Sequence, residues 1–105
     1  MPKNIKKICT KCLDMYKVKT TSRYKKDLKY IQDNRELIYE IDTIVTLLAE
    51  DDAPLPEKYK DHSLKGQYAE FRECHIRPNW LLVYQKTKKD LILLLIATGT
   101  HSYIS

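Results

Sequence analysis

The sequence predicts an α+β fold in which two N-terminal helices pack on one face of a small antiparallel sheet. Three observations lead to this prediction. Residues near the start alternate between apolar and polar, the middle of the chain repeats its apolar residues at helical spacing, and the last third holds strand-like apolar segments joined by short turns. The predicted order of elements is β-α-α-β-β-β.

The first strand lies within MYKVKTT (15–21), where Tyr16, Val18 and Thr20 alternate with lysines. Ser22 is expected to cap the helix that follows, because a serine hydroxyl accepts a hydrogen bond from a free backbone N–H of the first turn. This helix has apolar residues at helical spacing: Tyr24, Leu28 and Ile31.

The second helix is predicted over residues 35–50, after a break at Asp33-Asn34. Its apolar stripe has amphipathic spacing and consists of Leu37, Ile38, Ile41, Ile44, Val45 and Leu48. The helix ends before APLP (53–56), because proline removes a backbone donor and clashes with the preceding turn.

Three strands are predicted in the last third of the chain: FRECHI (71–76), WLLVYQK (80–86) and LILLLIA (91–97). The short connections between them favour antiparallel pairing. The final GTHSYIS (99–105) is expected to be a last short strand or a tail.

The 105 residues are expected to form one domain over residues 15–105, preceded by a Lys-rich extension at 1–14. There is no apolar run of the roughly 18 residues that span a membrane, and no segment typical of a signal peptide, so a cytoplasmic protein without membrane contact is expected. An odd number of cysteines is not a disulfide framework, and Cys9 and Cys12 form only half of a zinc site. We therefore expect neither a metal nor another cofactor.

Charge is unevenly distributed along the chain, whose formal net charge is +5. Residues 1–30 carry ten basic and two acidic side chains, residues 31–57 one basic and eight acidic, and residues 58–105 eight basic and four acidic. This pattern indicates a basic surface that faces a polyanion, with an acidic surface behind it. A charged surface that is merely solvated is the alternative interpretation.

Three histidines lie in different segments: His62 in a polar loop, His75 in the second strand and His101 in the tail. The sheet can bring them together, because alternation places Phe71, Glu73 and His75 on one side of their strand. Histidine can give or take a proton near neutral pH, which suits RNA cleavage without a metal. In that reaction the 2′-hydroxyl loses a proton and the leaving 5′-oxygen gains one. A purely structural role for each histidine is the alternative.

Four motifs resemble the YafQ branch of the RelE/ParE toxin superfamily: KDHSLKG (60–66), RECHIRP (72–78), WLLVY (80–84) and GTH (99–101). The similarity runs from about Met15 to the end of the chain. It implies a RelE-like fold and a small bacterial endoribonuclease that cuts mRNA in the ribosomal A site and inhibits translation. The partners it implies are a cognate antitoxin protein, the ribosome and mRNA.

The resemblance also implies roles for single residues. His101 corresponds to the family's main proton-transfer group, the general acid, and His62 and His75 to further active-site histidines. The residues expected to contact the substrate or its phosphate are Arg72, Arg77, Glu73, Asn79, Trp80 and Tyr103. The residues expected to contact ribosomal RNA are Lys58, Lys60 and Lys65.

Two positions depart from the family pattern. Asn79 stands where the family has an acidic residue, and an amide cannot act as a base. The base candidates that remain are His62, His75 and Glu73. Ser105 stands where the family commonly has an aromatic residue, and Tyr103 is a candidate to replace it in stacking a base.

Two other functions stay open at this point. The ParE branch shares the fold and poisons DNA gyrase without being an enzyme, although its members lack this set of histidines. A catalytically weak relative could also bind RNA without cutting it. Both alternatives leave mRNA intact, whereas the endoribonuclease cleaves it.

Overall fold

The structure, a computed structural model, describes residues 14–104, so Ser105 and most of the 1–14 extension, with Cys9 and Cys12, lie outside the described residues. The elements follow in the order β1 (Lys17–Thr20), α1 (Ser22–Tyr30), α2 (Arg35–Glu50), β2 (His62–Ser63), β3 (Arg72–Arg77), β4 (Trp80–Thr87), β5 (Ile92–Gly99) and α3 (His101–Ile104). Short 3₁₀ turns at Glu57–Tyr59 and Gly66–Tyr68 flank β2.

The strands form one mostly antiparallel sheet in the order β1-β5-β4-β3-β2, and the predicted α+β class is confirmed. Strands β2 to β5 pair with their neighbours in the antiparallel sense. The edge strand β1 instead runs parallel to β5, with Lys17 opposite Ile92. Parallel neighbours require a long connection, and the two helices between β1 and β2 carry the chain to the far edge of the sheet.

The two long helices begin at side-chain caps. Thr21, rather than the expected Ser22, caps α1, and its Oγ1 accepts a hydrogen bond from the N–H of Tyr24 at 3.0 Å. Asn34 caps α2 at the predicted break by accepting from the N–H of Leu37 at 3.2 Å. Of the helices within residues 14–104, none combines the length and the apolar character needed to cross a membrane.

Both helices bury their apolar stripes against the same face of the sheet. Ile41 and Ile44 of α2 are at most 2% exposed, and Tyr24 of α1 is as deeply buried. The sheet residues in this cluster are Cys74, Ile76, Leu82, Tyr84, Leu93 and Leu95. Burial of this apolar surface is the main term that stabilises the fold. It also closes this face to a substrate, so we call the opposite side of the sheet the open face.

The C-terminal end differs from the prediction. Strand β5 continues to Gly99, and the residues expected as a strand or tail form the short helix α3. Thr100 caps this helix, because its Oγ1 accepts from the N–H of Tyr103 at 3.3 Å and its carbonyl accepts from the N–H of Ile104 at 3.0 Å. The turn places His101 next to the end of β5.

Candidate active site

Two rows of side chains cross the open face. The first row is formed by His62, Glu73, Val83 and Ala97. The second row is displaced by two residues along each strand and is formed by the side chains of His75 and Leu81 and the backbone of Gly99. The predicted alternation of β3, with Glu73 and His75 on one side, is therefore confirmed.

His101 extends the second row. Its imidazole is edge-on to that of His75, with the ring centroids 5.3 Å apart and the ring planes at 64°. His75 is partly buried, whereas His101 is exposed. Two imidazoles in contact can act on two oxygens of one bound phosphate.

His62 faces two hydrogen-bond acceptors. Its Nδ1 lies 2.7 Å from the backbone carbonyl of Lys60, and its Nε2 lies 3.3 Å from Oε1 of Glu73. A carbonyl and a carboxylate cannot donate, so the ring bonds to both only when each nitrogen carries a proton. These contacts hold the His62 ring at the edge of the open face.

Asp61 anchors the loop that carries His62. Its carboxylate accepts from the hydroxyl of Tyr84 at 2.6 Å and from the guanidinium of Arg72 at 3.2 and 3.4 Å. Burial, together with the bond to Asp61, raises the pKa of Tyr84 far above its usual value, so this hydroxyl remains a donor. We call Asp61, Arg72 and Tyr84 the loop anchor.

A second set of contacts anchors the helix that carries His101. Asp27 of α1 is 6% exposed and accepts from the backbone N–H of Thr98 at 3.0 Å and from the hydroxyl of Tyr103 at 2.5 Å. The Tyr103 ring packs on Gly99, where an added Cβ would lie 2.4 Å from its Cδ2. We call Asp27, Thr98 and Tyr103 the tail anchor.

A groove of about 590 Å³ lies on the open face along the first row. Glu73, Val83 and Ala97 of the first row line it. Lys65 and Tyr68 line it from the segment between β2 and β3, and Arg23 and Ile104 line it from α1 and α3. We call this the open-face groove. Its cations, Arg23 and Lys65, match a polyanionic ligand.

The two arginines expected to hold phosphate lie away from this groove. Arg72 belongs to the loop anchor, on the side of the sheet that the helices cover. Arg77 donates to Glu40 of α2. Each guanidinium is thus paired with a carboxylate, although Arg77 also lines a cavity of about 500 Å³ that contains His75.

The other predicted site residues are spread over the molecule. Trp80 packs against the core, and its Nε1 donates to Oγ1 of Thr98 at 2.8 Å. Asn79 is exposed in the turn between β3 and β4. The three lysines expected to contact ribosomal RNA are all exposed: Lys58, Lys60 and Lys65.

Sequence reasoning missed four residues that shape this site. The sequence could have indicated Asp61 as a site residue, because it directly precedes His62. The sequence could also have indicated Asp27, because it lies three residues after Tyr24 and so falls on the buried stripe of its helix. No local sequence pattern indicates Arg23 or Tyr68, because only the tertiary fold brings them to one groove.

Histidine is the residue type best suited to proton transfer here. Cys74 is fully buried, and burial raises the pKa of its thiol to about 12, which leaves it inert. No group of three or more His, Cys, Asp or Glu side chains within residues 14–104 is arranged to hold a metal ion.

Comparison with known proteins identifies the family. Residues 16–105 match the family model described as the bacterial toxin of a type II toxin-antitoxin system, YafQ. The chain belongs to the YafQ toxin family. The mRNA interferase toxin YafQ of Escherichia coli strain K12 is 35% identical to it over 85 residues, which are 81% of this chain and 90% of that relative.

Solved YafQ structures share the fold. The crystal structure of YafQ from Escherichia coli BL21(DE3) superposes with a TM-score of 0.75 at 30% identity, covering 85% of this chain and 97% of that one. YafQ in the Escherichia coli DinJ-YafQ toxin-antitoxin complex superposes with a TM-score of 0.76 at 33% identity, covering 86% and 97%. The resemblance found in the sequence motifs is therefore confirmed.

Proposed function

We propose that this protein is the toxin of a type II toxin–antitoxin pair and an endoribonuclease that cleaves mRNA on the cytoplasmic ribosome. The observation that carries the proposal is the contact between the rings of His75 and His101. His75 also lines a cavity together with the cations of Lys58, Lys60 and Arg77, which suit a phosphate-rich ligand. The mRNA interferase activity named for the Escherichia coli relative supports it. The proposed reaction is a transesterification driven by the histidines.

The reaction needs one base and one acid. The 2′-oxygen of a nucleotide attacks the adjacent phosphorus, and the bond from that phosphorus to O5′ of the next nucleotide breaks. We assign His75 to remove the proton from the 2′-hydroxyl and the exposed His101 to protonate the departing O5′. The products are a 2′,3′-cyclic phosphate and a 5′-hydroxyl, and exchange of protons with water restores both rings.

Charge also builds up on the phosphorane. We assign its stabilisation to the imidazolium of His62, which Glu73 and the carbonyl of Lys60 hold in place. We assign a phosphate contact to Arg23, which lines the groove, because Arg72 and Arg77 each already pair with a carboxylate. Since Asn79 cannot titrate, this scheme gives it no part in proton transfer.

The partners follow from the charge pattern and the family. Lys58, Lys60 and Lys65 are proposed to dock on ribosomal RNA, so activity should fall steeply with added salt. The Escherichia coli relative forms a complex with DinJ. We propose that an antitoxin with an acidic segment likewise covers the basic surface of this chain and keeps it inactive.

The replacement His101→Ala tests the proposal. In ribosomes programmed with a defined mRNA, it should lower the cleavage rate by roughly 10²- to 10⁴-fold, because a general acid is lost. Thermal unfolding of the purified variant controls for misfolding. Unchanged cleavage in the variant would remove His101 from the mechanism. Intact mRNA with wild-type protein, together with loss of DNA supercoiling after induction in bacteria, would favour gyrase binding instead.

A further inference from the structure

The proposed reaction leaves one prominent side chain of the open-face groove unused. Tyr68 is 52% exposed and lines the groove at the end of the 3₁₀ turn Gly66–Tyr68. The ring of Phe71 lies behind it, with the centroids 6.1 Å apart and the planes at 30°. Tyr68 thus presents a supported aromatic surface to the groove.

The turn that carries Tyr68 is held in place by hydrogen bonds. The hydroxyl of Ser63 donates to the carbonyl of Ala69 at 2.7 Å. The N–H of Phe71 donates to the carbonyl of Tyr68 at 2.9 Å. The aromatic surface is therefore pre-organised, which lowers the entropy lost when a ligand packs on it.

The charges of the groove select the kind of ligand. Arg23 and Lys65 line it together with Tyr68, while the one carboxylate among its lining residues, that of Glu73, already faces His62. A ligand that suits this site carries both a negative charge and a flat ring. Single-stranded RNA has both, and its bases bind proteins by stacking on aromatic side chains near cations.

The position of the groove places such a base close to the reaction. Glu73 lines the groove and lies two residues before His75 on β3, a separation of roughly 7 Å along a strand. We propose that Tyr68 is the stacking platform of a nucleobase subsite for a nucleotide that flanks the cleaved bond. This inference rests on the proposed function and adds a substrate contact to it.

Replacing Tyr68 should weaken substrate binding and spare the chemical step. In the full-length protein acting on mRNA-programmed ribosomes, Tyr68→Ala should raise KM about tenfold and leave kcat within about twofold, since stacking contributes to binding alone. Tyr68→Trp should restore KM, because it keeps an aromatic face. Tyr68→Leu keeps an apolar contact for Phe71 but lacks that face, so it should behave like the alanine variant.

Tyr30 provides the matched control. It is 88% exposed on α1 and lines neither the open-face groove nor the cavity that contains His75. Tyr30→Ala should leave KM unchanged. An mRNA with an abasic nucleotide beside the cleavage site should raise the KM of the wild type about tenfold, because the base is the stacking partner. The same mRNA should raise the KM of Tyr68→Ala by no more than about twofold, because that variant has already lost the stacking contact.

The outcomes separate the two proposals. If wild-type protein leaves the mRNA intact, the proposed function fails. If the wild type cleaves and Tyr68→Ala and Tyr30→Ala have the same KM, only the subsite is contradicted. A KM that Tyr68→Leu restores as well as Tyr68→Trp does would also contradict stacking.

Discussion

The two segments that carry exposed histidines are held in different ways. The loop with His62 has several independent restraints: Asp61 bonds to both Tyr84 and Arg72, and His62 itself contacts Glu73. The loss of any one restraint leaves the others. The position of this histidine is therefore over-determined by its surroundings.

The tail with His101 is held through the side chain of Tyr103, whose ring centroid also lies 5.0 Å from the guanidinium carbon of Arg23. Its helix α3 has only four residues, and a helix this short is unstable by itself. The hydroxyl of Tyr103 ties it to Asp27, 76 residues away in the sequence, and the Tyr103 ring rests on Gly99. The comparison teaches that the described restraints of the tail converge on Tyr103, whereas those of the loop come from several residues. Cleavage should therefore be more sensitive to changes in the tail anchor than in the loop anchor.

The largest effect is expected at the contact between Gly99 and Tyr103. In Gly99→Ala the new Cβ would lie 2.4 Å from Cδ2 of Tyr103, so the ring and α3 must move. A displacement of about 1 Å can lower a catalytic rate roughly 10²-fold. Single-turnover cleavage should show this loss in kcat, and a rate equal to that of the wild type would show that α3 does not position His101.

A smaller effect is expected when only the hydroxyl of the tail anchor is removed. Tyr103→Phe should lower kcat about tenfold, because α3 loses one restraint while the ring contact stays. Tyr16→Phe is the control, since the Tyr16 hydroxyl also donates to an aspartate, Asp52, at 2.6 Å. Each change should cost about 1 kcal/mol of unfolding free energy, but Tyr16→Phe should leave kcat unchanged. Equal rates in the two variants would contradict the positioning role of Tyr103.

In the loop anchor the corresponding change should affect cleavage less. Tyr84→Phe removes one donor to Asp61, while Arg72 still holds the carboxylate. We expect a loss of about 1–3 kcal/mol in unfolding free energy, because the carboxylate loses a partly buried partner, but no more than about a threefold loss in kcat. A larger fall in kcat than that of Tyr103→Phe would reverse the comparison.

The smallest effect on cleavage is expected far from both anchors, at Asp52. The hydrogen bond from Tyr16, followed by the charges of Lys88 and Lys86, lowers the pKa of this carboxyl. A lowered pKa stabilises the fold above the unfolded-state value of about 4, and this stabilisation is lost as the pH falls through the folded-state value. In Asp52→Asn the free energy of unfolding, measured by chemical denaturation at pH 2–6, should therefore fall less on acidification than it does in the wild type. The kcat at neutral pH should be unchanged.

The sequence predicts the elements of this fold well because their signals are local. The stripe from Leu37 to Leu48 and the apolar run from Leu81 to Tyr84 repeat at helical and strand spacing, and both are found where expected. The parallel pairing of β1 with β5 has no such local signal. It depends on where the long helical connection delivers the chain.

The candidate site was predictable only in part for the same reason. The motifs placed His62, His75 and His101 in one site, and the alternation of β3 put Glu73 beside His75. Arg72 and Arg77 carry the right chemistry for phosphate, but their carboxylate partners come from other segments of the chain. A residue type indicates what a side chain can bind, whereas the fold decides which partner reaches it first.

Sulfur substitution at the cleaved bond tests the central claim most directly. A thiolate leaving group needs no general acid, so an mRNA with a bridging 5′-phosphorothiolate at the cleavage site bypasses that role. We expect His101→Ala to cleave this mRNA at close to the wild-type rate, while His75→Ala stays slow because the 2′-hydroxyl still needs a base. If His101→Ala is as slow on the sulfur substrate as on normal mRNA, His101 is not the general acid.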